Sequence, residues 1–254
     1  MKSINKYITE KLKRRKSKHN IKYNYFPKTK KELQDIINKL IEERGNEGDF
    51  NDIDTSKITD MSELFDGIGE FNGDISMWDV SNVTDMTCMF QYCKSFNCDI
   101  SGWDVSNVTN MNWMFYHCES FNQDISRWDV SNVIDMTGIF QFSKSFNQPL
   151  NNWDVSNVTN MQYMFSSCDS FNQDISNWDV SKVTDMQYMF SFCGSFNQDI
   201  SNWDVSNVTD MRLMFYRCKS FNQPLNTWNV SNVRYYDDIF FNCPIEEKNY
   251  PRFR

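Results

Sequence analysis

The stretch Phe171–Ser195, FNQDISNWDVSKVTDMQYMFSFCGS, returns with few changes when the sequence is read 25 residues earlier or later. Two aromatic positions mark this period most clearly. The phenylalanines are Phe71, Phe96, Phe121, Phe146, Phe171, Phe196 and Phe221, and the tryptophans are Trp78, Trp103, Trp128, Trp153, Trp178, Trp203 and Trp228. A fixed period of about 20–50 residues is typical of arrays in which one small unit stacks on copies of itself. The sequence therefore predicts a stack of 25-residue coils.

The apolar pattern changes within each unit. Trp178 and Val180 alternate around the polar Asp179, which is the pattern of a short strand with its apolar side chains inward. After Val183 the apolar spacing lengthens to that of a helix. The residues at this spacing are Met186, Met189, Phe190 and Cys193. Each coil is therefore predicted to be a strand, a turn, a short helix and a return, with the Trp, Met and Phe side chains in the core.

Regions on both sides of the array are predicted to close its ends. The predicted parts are a basic, disordered tail at 1–25, a capping helix and link at 26–49, the repeat array at 50–245, and a C-terminal cap or tail at 246–254. In the capping helix, Thr29 is the expected N-cap, Glu32 completes a capping box and Gly45 ends the helix. Its apolar face comprises Leu33, Ile36, Ile37, Leu40 and Ile41.

Charge is divided unevenly along the chain. Residues 1–44 carry 14 Lys and Arg against 5 Asp and Glu, whereas the remainder carries 12 against 29. The basic patch comprises Lys11, Lys13, Arg14, Arg15, Lys16 and Lys18. Such a patch suits nucleic acid or an anionic membrane surface. A solvated tail without any partner explains the same run of residues.

The eight cysteines do not indicate a disulfide scaffold. Six share one repeat position, namely Cys93, Cys118, Cys168, Cys193, Cys218 and Cys243. Ser143 replaces the cysteine of one unit and Ile68 that of the first, which indicates a small buried side chain rather than a bridge or a metal ligand. We expect reduced thiols and no cofactor. Since no signal peptide and no apolar run of about 18 residues is visible, we also expect a cytoplasmic or intracellular protein without a transmembrane segment.

The unit FNQDISNWDVSNVTDMxxMFxxCxS resembles the repeat of BspA-like leucine-rich-repeat proteins, in the branch labelled lipoprotein-associated. The segments PKTKKELQDII and DIDTSKITDMSELF resemble the start of such arrays, and the resemblance covers about residues 26–245. It implies an α/β solenoid, a right-handed, leucine-rich-repeat-like stack of about seven to eight strand-turn-helix coils with an N-terminal helical cap. It also implies a surface or adhesion protein that binds host or matrix proteins, which makes the cell surface the alternative location. A signal peptide, a lipobox cysteine and a wall-anchoring tail are not visible, and this departs from the surface-protein pattern.

One row of carboxylates recurs in six consecutive units. This Asp ladder comprises Asp79, Asp104, Asp129, Asp154, Asp179 and Asp204. Stacked like charges are destabilising unless something compensates them, so the ladder could hold a cation such as Ca²⁺ or a basic partner. The other interpretation, which we favour, is that each Asp accepts hydrogen bonds within the D-V-S-N turn that follows it.

Recognition is expected where the units differ from one another. Two variable rows in the predicted helix are rich in aromatic residues, as interface hot spots are, although the same side chains could pack between neighbouring helices. The partner-binding candidates are Tyr92, Trp113, Tyr116, Phe142, Tyr163, Tyr188, Phe192 and Tyr216.

Catalysis is not indicated. The two histidines, His19 and His117, are isolated, and no phosphate-binding loop or nucleophile with a base is apparent. The leading hypothesis is therefore a non-enzymatic, protein-binding scaffold or adhesin-like repeat protein. The alternatives are a cation-stabilised structural solenoid that uses the Asp ladder, and binding of nucleic acid or an anionic surface through the basic N-terminal arm.

Overall fold

A computed structural model of the chain describes residues 22–253. Regular secondary structure in this range consists of one α-helix, α1 (Lys30–Arg44), and one short 3-10 helix (Glu247–Asn249). The repeats are joined by isolated parallel β-bridges 25 residues apart instead of by strands. These bridges are Asp60–Asp85, Asp85–Asn110, Asn110–Asp135, Asp135–Asn160, Asn160–Asp185, Asp185–Asp210 and Asp210–Tyr235. Successive 25-residue coils thus stack in register on one another.

The predicted helix of each coil is wrong. Tyr188 and Phe192 both have a φ of 58°, in the left-handed region, and an α-helix cannot run through such residues. Alternate N–H groups donate to carbonyls of the next coil at 2.8–3.0 Å instead of four residues back. The pairs are Met186 to Asp210, Tyr188 to Arg212, Phe190 to Met214 and Phe192 to Tyr216. The intervening N–H groups close tight turns three residues back, as Met189 does on Met186.

The predicted strand is also absent from the described coils. The Trp178 N–H donates to the Ile175 carbonyl at 3.2 Å and the Val183 N–H to the Val180 carbonyl at 2.9 Å, so turns flank the W-x-V segment on both sides. With neither strands nor helices in the coils, the α/β solenoid and the leucine-rich-repeat-like stack are contradicted. The repeats instead form a column of stacked coils that are built from tight turns.

Phenylalanine rings form the centre of this column. Phe165 stacks on Phe171, the first residue of the next unit, with ring centroids 4.0 Å apart, and on Phe190 of that unit at 5.7 Å. Phe171 in turn stacks on Phe196 at 6.1 Å. The same contacts recur along the array, and one core cluster extends from α1 to Ile245. The prediction that the repeated Phe and Met side chains are core residues is confirmed by their burial.

Each repeated tryptophan joins its coil to the preceding one. The seven indoles are 1–5% exposed, and each Nε1–H donates to a backbone carbonyl 28 residues earlier at 3.0–3.2 Å. Trp178, for example, donates to the Leu150 carbonyl. A buried Trp requires such a partner for its N–H. The prediction that these tryptophans pack inside is confirmed.

The cysteine position also joins each coil to the preceding one through a hydrogen bond, with a smaller donor than tryptophan. The Cys118 Sγ lies 3.0 Å from the Phe90 carbonyl, and Ser143 Oγ donates to the Phe115 carbonyl at 2.6 Å. All eight thiols are free in this structure, and five of the six at this position are buried, as is Ser143. Burial raises the pKa of each of these six thiols, and that of Cys243 rises to about 11. After the first unit, where Ile68 occupies it, the slot therefore favours a small side chain with a hydrogen to donate.

Ser143→Ala is expected to lower the free energy of unfolding by about 1 kcal/mol, because the hydrogen bond to the Phe115 carbonyl is lost. That carbonyl also accepts the Cys118 N–H, so it is not left unpaired. Ser143→Cys keeps a donor and should have the smaller effect. Urea denaturation followed by circular dichroism measures both. Equal losses for the two variants would contradict the donor role of this position.

The helix α1 covers the first coil, as the sequence indicated. Thr29 Oγ1 accepts the Glu32 N–H at 3.2 Å, and Gly45 with a φ of 76° ends the helix. The Glu32 carboxylate accepts the N–H of Lys28 at 2.6 Å, one residue before the position that a capping box uses. On the apolar face, Leu33, Ile37 and Leu40 are fully buried and Ile36 and Ile41 partly so.

At the opposite end, the segment after the last coil lies over its core. Tyr250 packs on Phe240 with ring centroids 4.7 Å apart, and Phe253 stacks on Tyr236 at 4.3 Å. Pro251 is buried beside them. None of the helices within residues 22–253 has both the length and the apolar character needed to cross a membrane.

Candidate functional site

Three Asx turns shape most coils, and the first of them is missing where Pro149 and Pro224 replace the aspartate. In the unit that contains Trp178, the carboxylates of Asp174, Asp179 and Asp185 each accept the backbone N–H two residues later, at 2.9, 3.0 and 2.9 Å. A carboxylate or amide oxygen in this role replaces a backbone carbonyl and reverses the chain. Asparagine performs the same task at Asn110 and Asn160. The third row also bears the inter-coil bridges, and it lies where the apolar spacing predicts the start of a helix.

The Asp ladder belongs to the second of these turns. Each of its six carboxylates accepts the N–H of the serine two residues later, at 3.0–3.3 Å. The serine hydroxyls of three units also donate to their Asp, at 2.6–2.7 Å. Among the described residues, no three His, Cys, Asp or Glu side chains are grouped as a metal site requires. The turn interpretation therefore accounts for the ladder without a cation.

Removing three charges of the Asp ladder should reduce the loss of folding free energy at acid pH. Hydrogen bonds from the following serine hold the pKa values of Asp154, Asp179 and Asp204 below the usual 3.8. A lowered folded-state pKa means that the ionised form stabilises the fold above pH 3.8, and that this contribution is lost as pH falls through the lowered pKa. The variant D154N/D179N/D204N should thus lose less stability than the wild type between about pH 5 and pH 2.

Urea denaturation at several pH values measures this effect, which solvent screening keeps small at such exposed sites. Asparagine preserves the turn acceptor, as Asn229 shows by accepting the Ser231 N–H at 3.3 Å. Parallel profiles for variant and wild type would contradict the assignment.

The variable positions coincide with left-handed backbone. Two residues in each coil have a φ of 53–75°. The first left-handed row is Glu63, Cys88, Trp113, Gly138, Tyr163, Tyr188, Leu213 and Asp238, and the second is Gly67, Tyr92, His117, Phe142, Ser167, Phe192, Arg217 and Asn242. Six of the eight predicted partner-binding residues lie in these rows, and Tyr116 and Tyr216 lie directly before the second row. Glycine and asparagine are the residues that this conformation favours, and aromatic residues are not.

These rows and their neighbours present a strip of aromatic rings, which we call the aromatic face. It comprises Tyr92, Trp113, Tyr116, His117, Phe142, Tyr163, Tyr188, Phe192 and Tyr216. Tyr92 is 41% exposed and Phe192 43%, whereas the other seven are half-buried. The structure thus brings the eight predicted candidates to one surface of the stack.

The centre of the aromatic face is a group of contacting rings from three coils. His117 stacks between Tyr92 and Phe142, with ring centroids 5.2 and 4.3 Å away. Tyr116 meets Tyr92 edge-on at 5.1 Å and Trp113 at 5.3 Å. Burial and the hydrogen bond to Tyr92 raise the pKa of Tyr116 to about 12, so its phenol remains protonated at neutral pH.

Trp113 reaches across a whole coil because of one glycine. Its ring lies 6.0 Å from that of Tyr163, two coils on, and Tyr163 stacks on Tyr188 at 4.7 Å. A Cβ on Gly138 in the intervening coil would lie 2.2 Å from the Trp113 ring. The absence of a side chain at Gly138 therefore lets the rings from Tyr92 to Tyr188 form one connected group, and Phe192 and Tyr216 form a separate contact.

The C-terminal part of the face carries an arginine on its rings. Phe192 meets Tyr216 edge-on at 5.3 Å. The guanidinium of Arg217 lies 5.4 Å from the Phe192 ring centroid and 5.3 Å from that of Tyr216, within cation–π range.

Charged side chains border the face on two sides. Glu119 lies 3.0 Å from Lys144, 3.9 Å from Lys94 and 3.9 Å from His117, and the Lys144 ammonium is the main cause of its lowered pKa. Burial lowers the pKa of His117, which favours the neutral ring at pH 7. Before Tyr92, Glu63, Asp66 and Asp85 form no ion pair among the described residues, whereas Asp52 and Asp60 pair with Arg44 and Lys30.

Two features of this surface were missed in the sequence. His117 was treated as an isolated histidine, yet it is the central ring of the Tyr92–His117–Phe142 stack. The left-handed rows were not recognised either, although glycine and asparagine appear in them at Gly67, Gly138 and Asn242. The basic patch Lys11, Lys13, Arg14, Arg15, Lys16 and Lys18 lies outside the described residues.

Comparison with protein families gives one match. The family described as "Mycoplasma protein of unknown function, DUF285" matches residues 32–153 and, overlapping with these, residues 135–253. The two matches together span most of the chain. A search of curated proteins and a search of solved structures returned no match.

Proposed function

The chain belongs to this family of unknown function, and we propose that it is a non-enzymatic scaffold that binds another protein through the aromatic face. The observation that carries the proposal is the group of seven contacting rings, from Tyr92 to Tyr188, on the surface of the stack. Tyr and Trp predominate in interface hot spots because each offers a large, rigid contact area. The resemblance to BspA-like repeat proteins makes an adhesin-like role one form of the same proposal.

Backbone strain supports this choice of surface. A left-handed conformation costs a residue with a Cβ about 1–2 kcal/mol relative to the right-handed one. Trp113, Tyr163, Tyr188, Tyr92 and Phe192 all adopt it. Glycine would fit these positions without that cost, so the fold alone does not explain the aromatic residues. Strained residues concentrate at functional sites, where another requirement selects the side chain.

The test compares two triple variants of the full chain as baits. Y92S/Y163S/F192S removes three rings from the aromatic face, and Ser167 shows that serine occupies such a left-handed position. I134T/D104N/D129N changes exposed residues of other rows to residues found there in other units. The wild-type chain captures a partner from cell lysate or from host surface proteins, and that partner is then purified and its Kd measured against all three chains.

We expect the ring variant to bind the partner at least tenfold more weakly and the control variant to bind as the wild type does. Thermal unfolding by circular dichroism verifies that both variants fold. Undiminished binding by the folded ring variant, or equal loss in the control, would overturn the proposal.

A further inference from the structure

Three carboxylates lie at the edge of the aromatic face near Tyr92, where the Gln91 side chain donates to Asp66 at 3.2 Å. This acidic rim comprises Glu63, Asp66 and Asp85, of which Glu63 and Asp66 are exposed and Asp85 is half-buried. Burial is the main cause that raises the pKa of the nearby Cys88 thiol to about 11, and the three carboxylates add to the shift. Within residues 22–253 none of the three forms an ion pair. Negative charge is therefore concentrated next to the exposed Tyr92 ring, and no cation within residues 22–253 pairs with it.

At its C-terminal end, the aromatic face already binds a cationic side chain of this chain. Arg217 lies over Phe192 and Tyr216 at 5.4 and 5.3 Å, in the second left-handed row. Tyr92 occupies that row five coils before Arg217, and no Arg or Lys among residues 22–253 lies over its ring. Ring faces attract guanidinium more strongly than ammonium, since the planar cation stacks as well.

We propose that the partner contributes a basic, arginine-bearing peptide segment, which lays its guanidinium groups on the rings around Tyr92 and Trp113 while the acidic rim neutralises their charge. This inference rests on the proposed function and specifies the chemistry of the partner. Charge complementarity favours it, because residues 45–254 carry 29 acidic against 12 basic side chains. An acidic segment would be repelled by the like charge of the acidic rim. A purely apolar segment would leave the carboxylates of the rim without a counter-charge.

The probes are three synthetic peptides of 12 residues, labelled for fluorescence anisotropy. One alternates Arg with Ser, the second replaces Arg by Lys, and the third replaces it by Glu. They are titrated into the full chain, and into a full chain in which the basic patch at 11–18 is changed to Gln so that it cannot compete. Trp113 provides a second signal, because it is half-buried whereas the other seven tryptophans are at most 5% exposed.

Two matched variants locate the contact. E63Q/D66N/D85N removes the acidic rim, and Asn at position 85 matches Asn110 and Asn160 in the same row of turns. D104N/D129N/D179N removes the same number of charges from the Asp ladder, where Asn229 shows that asparagine is accepted. Both sets leave the aromatic rings unchanged.

We expect the Arg peptide to bind, the Lys peptide to bind about threefold more weakly and the Glu peptide not to bind. The rim variant should weaken Arg-peptide binding at least fivefold, the ladder variant less than twofold, and Trp113→Phe should abolish the fluorescence change but not the anisotropy change. Absence of Arg-peptide binding in both chains, or equal weakening by the two charge variants, overturns this inference. If it fails in this way while Y92S/Y163S/F192S still abolishes capture of a protein, the proposed function stands and only the basic character of the partner is wrong.

Discussion

Trp153→Ala is expected to lower the free energy of unfolding by about 3–5 kcal/mol, the range for removing a large aromatic side chain from a packed core. Trp153 is 3% exposed and lies in the middle of the array, with its ring centroid 6.0 Å from that of Phe140. Because each coil contacts only its neighbours, nothing beyond the adjacent coils can close the cavity. Proteins are stable by only about 5–15 kcal/mol, so this single change should bring the array close to unfolding at 25 °C.

Trp153→Phe removes the indole hydrogen bond but keeps an aromatic ring in the core, so it separates the loss of the hydrogen bond from the loss of side-chain volume. The Trp153 Nε1–H donates to the Ile125 carbonyl at 3.1 Å, and that carbonyl also accepts the Trp128 N–H, so the variant leaves it with one partner. We expect a loss of about 1–3 kcal/mol, from one hydrogen bond and a smaller cavity. Urea denaturation followed by circular dichroism measures both variants. A loss below 1 kcal/mol for Trp153→Ala would show that neighbouring coils do not depend on the tryptophan ladder.

The period of the sequence was sufficient to predict which residues are inside. Phe171, Trp178, Met186 and Phe190 are all buried as expected, because a strict 25-residue repeat requires the same inward positions in every coil. It was not sufficient to predict the backbone. Apolar residues at i, i+3 and i+4 face one side in a helix. They do so equally in a run of tight turns whose left-handed residues redirect the chain, and apolar periodicity does not distinguish the two.

The information that could have distinguished them lies in the residues that differ between units. Gly138 occupies the position of Tyr163 and Tyr188, and Gly67 that of Tyr92 and Phe192. A glycine that exchanges with aromatic residues cannot be explained by side-chain size, and it indicates a φ that glycine tolerates. The Asp ladder could be assigned to turns because Ser follows two residues later. The aromatic face could be located by its variability, but its inter-ring contacts depend on a backbone that the sequence did not predict.

Gly138→Ala is expected to lower the free energy of unfolding by about 2–4 kcal/mol. The left-handed φ of 59° contributes about 1 kcal/mol for any residue with a Cβ. The remainder comes from the clash of the new methyl group with Trp113, whose ring carbon would lie 2.2 Å away, since overpacking costs about 1–3 kcal/mol. Gly67→Ala is the matched control: its φ is 75°, nothing lies within 4 Å of the added Cβ, and only the backbone cost should appear.

A double-mutant cycle with Trp113→Ala separates the two contributions of Gly138→Ala. Once the indole is removed, the alanine at position 138 should cost no more than Gly67→Ala does, which corresponds to a coupling of about 1–3 kcal/mol between the two sites. Near-UV circular dichroism should also show Trp113 displaced in the single variant, and its contact with Tyr163 is then lost. Additive effects of the two substitutions would mean that Trp113 does not lie on Gly138 in solution. The continuity of the aromatic face, on which the proposed binding function rests, would then be wrong at its centre.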